Sequence, residues 1–153
     1  TTAMLTMETV HDTDAVFEAA GESGIRATIG KCMMDSDDEV PRRLQEKTRA
    51  SVDESVALHR RWQGASNGRI RAAFAPRFAV SCSRELLHEV AALSAELGAL
   101  VHTHASESRE ELAIVKRLSE LLDATVEMTS EPGQGTIVRI VLPRHYPSAQ
   151  QKP

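Results

Sequence analysis

Short apolar segments alternate with segments of helical periodicity through the first two thirds of the chain. Segments of four to eight β-branched or apolar residues indicate strands, whereas apolar residues spaced by three and four indicate helices. The predicted strands are residues 2–6, 26–30, 70–75 and 99–104. The predicted helices are residues 12–23, 41–63 and 83–97, and a further helix that begins near Ser108. Pro41 suits a first helical turn, and Ser83 suits an N-cap.

This alternation is typical of βα units that build a parallel sheet. The pattern changes near residue 124, where two strands, residues 124–129 and 136–142, flank a turn rich in proline and glycine. The sequence therefore predicts an α/β fold, a partial (βα) barrel-like parallel sheet of about four βα units followed by a C-terminal β-hairpin. We place the boundaries at residues 1–117, 118–143 and 144–153, and expect the last segment to be a disordered tail.

Two histidines and a carboxylate lie close together at the end of the fourth predicted strand. His102 and His104 are two residues apart, so they share one face of a strand, and Glu107 follows just past its end. Imidazole is a common zinc ligand, and a nearby carboxylate can carry protons to and from a metal-bound water. A catalytic zinc needs three protein ligands, however, and two inert, hydrogen-bonded histidines would give the same pattern. The spacing alone leaves both interpretations open.

Composition excludes several classes of function. The chain has 153 residues, 41% hydrophobic and 26% charged, which is typical of one globular domain. Its formal net charge of -4 gives no electrostatic footprint for nucleic acid. No apolar segment is long enough to span a membrane, and the N-terminus lacks the features of a signal peptide, so we expect a cytoplasmic protein with no membrane partner. Cys32 and Cys82 are therefore predicted to be free thiols.

Three segments together resemble a known family. They are Gly24–Asp35 (GIRATIGKCMMD), Ala75–Ser83 (APRFAVSCS) and His104-x-x-Glu107. In this order and spacing they resemble the amidohydrolase superfamily, and within it the guanine-deaminase-like branch, over about residues 1–117. The resemblance implies a TIM-barrel hydrolase that binds zinc and deaminates a purine-like small molecule. It implies that His104 is a metal ligand, that Glu107 carries protons and that Arg77 contacts the purine, and it assigns no role to His102.

In a complete relative, the resemblance implies that a metal-bound hydroxide attacks the ring carbon, the glutamate moves the proton and ammonia leaves. The family's His-x-His pair would precede Thr1, and no matching histidine or aspartate follows residue 117. One remaining family ligand cannot hold a catalytic zinc, so we expect no appreciable turnover from the isolated chain. The chain also begins without methionine and within a predicted strand, so we expect it to be a piece of a longer protein. Half a barrel exposes two sheet edges, and copies of the chain can pair through these edges to form a homo-oligomer.

The C-terminal part resembles a second family. Residues 112–143, with the turn Ser130-Glu131-Pro132-Gly133-Gln134-Gly135, resemble the last helix and hairpin of a sensor histidine-kinase ATPase domain. The glycine-rich lid that should precede this helix is absent, so ATP binding is not expected. The two resemblances therefore imply a fragment or chimera of a metal-dependent amidohydrolase of the kind that deaminates guanine or a related ring, and we expect it to be inactive alone because most metal ligands are absent. The alternatives are a non-catalytic structural α/β domain and, with less support, a kinase-derived ATP-binding module.

Overall fold

Four parallel strands alternate with helices in the N-terminal part of the chain. The computed structural model describes residues 2–36, 40–104, 113, 125–131, 133 and 135–141. The strands are β1 (Ala3–Met7), β2 (Arg26–Met33), β3 (Ile70–Pro76) and β4 (Leu100–Val101), and the helices are α1 (Thr13–Ser23), α2 (Thr48–Trp62), α3 (Ala65–Gly68) and α4 (Arg84–Leu97). The sheet order is β1-β2-β3-β4, with every neighbouring pair parallel. The predicted alternation and parallel sheet are confirmed.

The helices cover one face of this sheet. Alternate residues of β2 and β3, among them Ile29 and Ile70, pack with Phe17 of α1 in one apolar cluster. Met33 and Phe74 lie further along the same strands and form a second cluster with residues of α4. This period of two is what a strand requires when one of its faces is buried. The other face of the sheet carries a different set of residues, which form the sites described below.

Helix α2 begins at Thr48, so the predicted start near Pro41 is wrong. Pro41 lies in a turn, in which the Leu44 nitrogen donates to the Pro41 oxygen over 2.7 Å. Glu46 then contacts β2 and the residue after it. Its nitrogen donates to the Met34 oxygen over 2.9 Å, and its carboxylate pairs with the buried Lys31 ammonium. A buried ammonium needs a partner of opposite charge, and this requirement from β2 outweighs the helical pattern of residues 41–47.

Two predicted strand bounds also change. Strand β2 continues to Met33, three residues beyond its predicted end, whereas β4 is limited to Leu100–Val101. The N-cap prediction at Ser83 is confirmed, since its hydroxyl accepts a hydrogen bond from the Leu86 nitrogen over 3.1 Å. The helix predicted after Ser108 lies outside the described residues, as do the boundary at residue 117 and the tail at 144–153.

The chain divides into two compact units, Thr1–Ala105 and Ser106–Pro153. In the second unit, β5 (Thr125–Glu131) pairs antiparallel with β6 (Gly135–Val141), from Thr125 opposite Val141 to Glu131 opposite Gly135. Gly133 lies in the turn with φ 81°, a conformation that glycine adopts at little cost. Among the described residues, no helix is both long and apolar enough to cross a lipid bilayer.

A buried carboxylate joins three elements of the first unit. Asp35 follows β2 and is 8% exposed. Its oxygens accept hydrogen bonds from the Thr48 hydroxyl, which begins α2, and from both the nitrogen and the hydroxyl of Ser83, which caps α4, each over 2.6 Å. Hydrogen bonds to a charged group are stronger than those between neutral groups. Asp35 therefore fixes where both helices begin relative to the sheet.

We expect Asp35→Ala to lower the free energy of unfolding by about 3 kcal/mol, because it leaves donors of Thr48 and Ser83 without their acceptor. Urea unfolding followed by circular dichroism measures this change. The control is Asp53→Ala, which removes an exposed ion pair with Arg49 and should cost at most about 0.5 kcal/mol. Equal losses for the two variants would show that Asp35 has no special structural role.

His59 makes the stability of the first unit depend on pH. Its ring stacks on Phe74 with the ring centroids 6.0 Å apart, and its Nε2 is buried and has no hydrogen-bond partner within the described part of the chain. Burial lowers the pKa of His59 below its ordinary value of 6.5, since it disfavours the charged form. As the pH falls below 6.5, the unfolded state takes up a proton before the folded state does, so the free energy of unfolding decreases through that interval.

We therefore expect His59→Leu to flatten the decrease in unfolding free energy between pH 7 and pH 5. Urea unfolding at several pH values gives the slope, and the slope does not depend on any constant change in stability caused by the substitution. The matched control, His88→Ala, changes an exposed histidine of α4 and should keep the wild-type slope. An unchanged slope in His59→Leu would rule out the proposed contribution.

Candidate active-site rim

The ends of β2, β3 and β4 meet at one edge of the sheet. The carboxyl ends of parallel strands lie on the same side, which is where α/β folds commonly place their sites. The Arg77 nitrogen, just after β3, donates to the Met33 oxygen of β2 over 3.1 Å. The His102 nitrogen, just after β4, donates to the Phe74 oxygen of β3 over 3.0 Å. The segments that follow β3 and β4 therefore start next to each other.

Hydrogen bonds join Arg77 to His104 at this rim. If the ladder from His102 continued regularly, the His104 nitrogen would reach Pro76, yet it donates to the Arg77 oxygen over 2.9 Å. The Thr103 hydroxyl donates to the same oxygen over 3.0 Å. The structure thus brings together two of the three residues for which the sequence suggested a role.

The Phe78 ring lies against both of these side chains. The Arg77 guanidinium carbon is 5.0 Å from the centroid of the Phe78 ring, within the range of a cation-π contact. The exposed His104 ring lies on the same phenyl group, with the centroids 5.7 Å apart and the rings tilted by 46°. Phe78 therefore limits the orientations that Arg77 and His104 can adopt.

Cys32 lies near Arg77. The sequence predicted Cys32 only as a free thiol. The structure confirms that Cys32 and Cys82 are unlinked and buried. The Arg77 guanidinium lies close enough to the Cys32 side chain to favour its thiolate form. Burial raises the pKa of the Cys32 thiol, and the positive charge of Arg77 opposes that rise only in part. Cys32 thus stays a neutral thiol near the arginine, a proximity that the separation of 45 positions in the sequence conceals.

His102 lies over the sheet at Gly30 and Ala75, two small residues that leave room for its ring. Its Nε2 is buried and has no hydrogen-bond partner among the described residues. A Cβ added to Gly30 would lie 3.4 Å from this nitrogen and 2.6 Å from the Ala75 Cβ. Burial, and then the proximity of His104, lower the pKa of His102. The resemblance assigned no role to His102. Gly30, which has no side chain, is the sequence feature from which the packing of His102 on the sheet could have been predicted.

The loop of residues 77–83 is fixed by hydrogen bonds to the end of β2 and by a hydrogen bond within the loop. The Asp35 and Ser36 nitrogens both donate to the Ser81 oxygen over 3.2 Å. The Ser81 hydroxyl accepts a hydrogen bond from the Phe78 nitrogen, also over 3.2 Å. The end of β2 therefore positions Phe78, and through it Arg77 and His104.

The described residues do not by themselves form a zinc site. Within the described part of the chain, no group of three or more histidine, cysteine, aspartate or glutamate side chains converges so that it could hold a metal ion. His104 is the single rim histidine to which the resemblance gave a metal role, while Glu107 lies outside the described residues. Because a catalytic zinc needs three protein ligands, His104 would need ligands from other parts of a protein.

Comparison with known proteins identifies the family. The model of the amidohydrolase family matches residues 1–133. The chain belongs to the amidohydrolase family. The predicted resemblance to that family is confirmed, and the four parallel strands with their helices match part of an amidohydrolase barrel.

Several amidohydrolases of known activity are similar to this chain. The 5-methylthioadenosine/S-adenosylhomocysteine deaminase 2 of Archaeoglobus fulgidus is 37% identical over 116 residues, which are 72% of this chain and 26% of that protein. The guanine deaminase of C. acetobutylicum, whose structure contains guanine in the active site, is 32% identical with a TM-score of 0.71 over 79% of this chain and 29% of that one. The atrazine chlorohydrolase of Arthrobacter aurescens, solved with zinc, shares the fold at 21% identity, with a TM-score of 0.65 over 77% of this chain and 28% of that one. The chain thus spans less than a third of the length of these relatives.

The comparisons do not support the predicted kinase segment. The amidohydrolase match continues to residue 133, through much of the segment 112–143 that resembled a histidine-kinase ATPase domain. None of the matches described above is to a kinase. The predicted join between two families, and with it a chimera, is therefore unsupported. The resemblance misled because a helix followed by a hairpin with a proline-glycine turn is a pattern that many folds share.

Proposed function

We propose that this chain forms part of the active site of a metal-dependent deaminase that acts on guanine or a related purine-like ring. The observation that carries this proposal is the hydrogen-bonded pairing of Arg77 with His104 at the rim, on both of which Phe78 packs. Membership of the amidohydrolase family supports it. The relatives named as guanine deaminase and as methylthioadenosine/S-adenosylhomocysteine deaminase support the choice of a purine-like substrate.

Arg77 is the proposed purine-binding group. A guanidinium presents several N–H donors in a fixed plane, which suits the acceptor atoms of a purine ring. Phe78 packs on this guanidinium, so it loses less conformational freedom when a ligand binds than a side chain without such a contact. A donor that is already oriented contributes more to affinity than one on a free side chain.

His104 is the proposed metal ligand, and Glu107 is the proposed proton carrier three residues later. Zinc would polarise a bound water in such a site. His104 is exposed at the rim, where its imidazole is accessible to a metal ion. Its separation from Glu107 by a few residues suits a carboxylate that exchanges protons with a water beside the metal.

Arg77→Ala is expected to weaken guanine binding by at least about tenfold, the equivalent of about 1.4 kcal/mol. Equilibrium dialysis with radiolabelled guanine measures the dissociation constant. Arg77→Lys keeps the charge but loses the planar donor set, so its affinity should lie between those of the wild type and Arg77→Ala. Arg84→Ala, an exposed arginine on α4, is the control and should bind as the wild type does. Unchanged binding in Arg77→Ala would refute the role of Arg77.

His104→Ala is expected to weaken zinc binding by at least about tenfold, since the loss of a direct ligand should cost no less than the loss of its supporting partner. Competition with a zinc-sensitive dye measures the affinity without any need for enzyme activity. The control is His88→Ala, which removes an exposed histidine on α4. If both variants bind zinc as the wild type does, His104 is not a ligand, and the chain is better described as a structural α/β domain of amidohydrolase ancestry.

A further inference from the structure

A basic cleft lies at the opposite end of the sheet from the rim. It has a volume of about 400 Å³. Its lining residues come from the amino-terminal ends of β2 and β3 and from the turn before β3: Arg26, Ala27, Thr28, Gly68, Arg69 and Arg71. Strand β2 separates Arg26 from Met33 by about 23 Å at the usual rise per residue. This group, which we call the arginine cleft, is therefore separate from Arg77 and His104.

The strand register places the basic residues on one face. Ala27 pairs with Ile70, and both are buried in the cluster beneath the helices. Thr28 pairs with Arg71, and because alternate strand residues point to opposite faces, this pair lies on the face away from the helices. Arg26 alternates with Ala27 in the same way and joins that face. The register thus places Arg26, Thr28 and Arg71 on one face, and Arg69, just before β3, lines the same cleft, although nothing in the local sequence pairs these residues.

Among the described residues, the arginine cleft holds positive charge without a counter-charge. No carboxylate of these residues lines it, and Arg26, Arg69 and Arg71 form no ion pair with any of them. The Nε atom of Arg69 is buried and lacks a hydrogen-bond partner among the described residues. Like charges that line one cleft repel each other, and a buried donor without an acceptor costs free energy.

A second cleft of about 350 Å³ between α2 and α4 shows the usual arrangement. There Arg49 and Arg60 are accompanied by Asp53 and Glu89. The first unit therefore balances its arginines with carboxylates at one site and leaves them unbalanced at the other. The net charge of the chain is -4, so an overall excess of basic residues does not explain the difference.

We propose that the arginine cleft binds an oxyanion, the phosphate or carboxylate group of a small molecule. Guanidinium groups bind both anions through paired N–H donors, and the Thr28 hydroxyl can add a further donor. An oxyanion would provide the missing acceptor for Arg69 and would neutralise the repulsion between the three side chains. The volume exceeds that of a lone phosphate ion, so it can also hold part of the molecule that carries the anion. This proposal does not depend on the deaminase function of the rim.

Titration calorimetry of the full chain with inorganic phosphate, and separately with succinate, tests the proposal at constant ionic strength. We expect saturable binding with about one site per chain and a dissociation constant that rises at least about tenfold in Arg71→Ala. Arg71→Lys should recover part of the affinity, because the charge remains while the paired donors are lost. Tighter binding of phosphate than of succinate would assign the site to phosphorylated molecules, and the reverse order would assign it to carboxylates.

The control is Arg60→Ala, which removes an exposed arginine from the balanced cleft and should leave both isotherms unchanged. Arg71 and Arg26 are exposed, so their truncation removes no core packing, and circular dichroism verifies that each variant folds. If Arg71→Ala fails to fold, Arg26→Ala replaces it. The absence of saturable binding to either anion, or an equal loss in Arg60→Ala, would overturn the proposal.

Discussion

The buried carboxylate of Asp35 is the constraint on which the functional end of the sheet depends. Its oxygens accept hydrogen bonds from Thr48 and twice from Ser83, so the first residues of α2 and α4 are fixed to the end of β2. A buried carboxylate without these donors would be costly, which makes the three positions interdependent. The helices therefore begin where Asp35 requires, and their apolar faces then pack on residues that the strands present, among them Ile29, Met33 and Phe74.

The rim inherits its geometry from the same place. The nitrogens of Asp35 and Ser36 hold Ser81, and the Ser81 hydroxyl holds Phe78. Phe78 in turn contacts Arg77 and His104, the two described residues to which we assign a role in binding. The end of β2, Ser81, Phe78, Arg77 and His104 thus form one connected structure at the carboxyl ends of the strands. Sites that must hold a ligand in one orientation need such support behind the residues that touch it.

Much of the fold could be predicted because it is encoded locally. The alternation of strand and helix patterns predicted the four parallel strands, and Ser83 signalled the start of α4 correctly. The start of α2 could not be predicted in this way, since Glu46 is drawn back to the sheet by the buried ammonium of Lys31, fifteen residues earlier in the chain. The kinase-like hairpin misled for a related reason, because a short local pattern specifies a shape that several families share.

The sequence by itself determined the class of fold, the membership of the amidohydrolase family and the candidates Arg77 and His104, because each depends on residue order and local spacing. Only the tertiary structure decided what surrounds them. The proximity of Arg77 to Cys32, the buried Nε2 of His102 beside Gly30 and the meeting of Arg26, Arg69 and Arg71 at one cleft all depend on how β2, β3 and β4 lie side by side. Register is set by how distant segments pack together, and a shift of one residue would turn the strand residues Arg26, Cys32 and Arg71 to the opposite face.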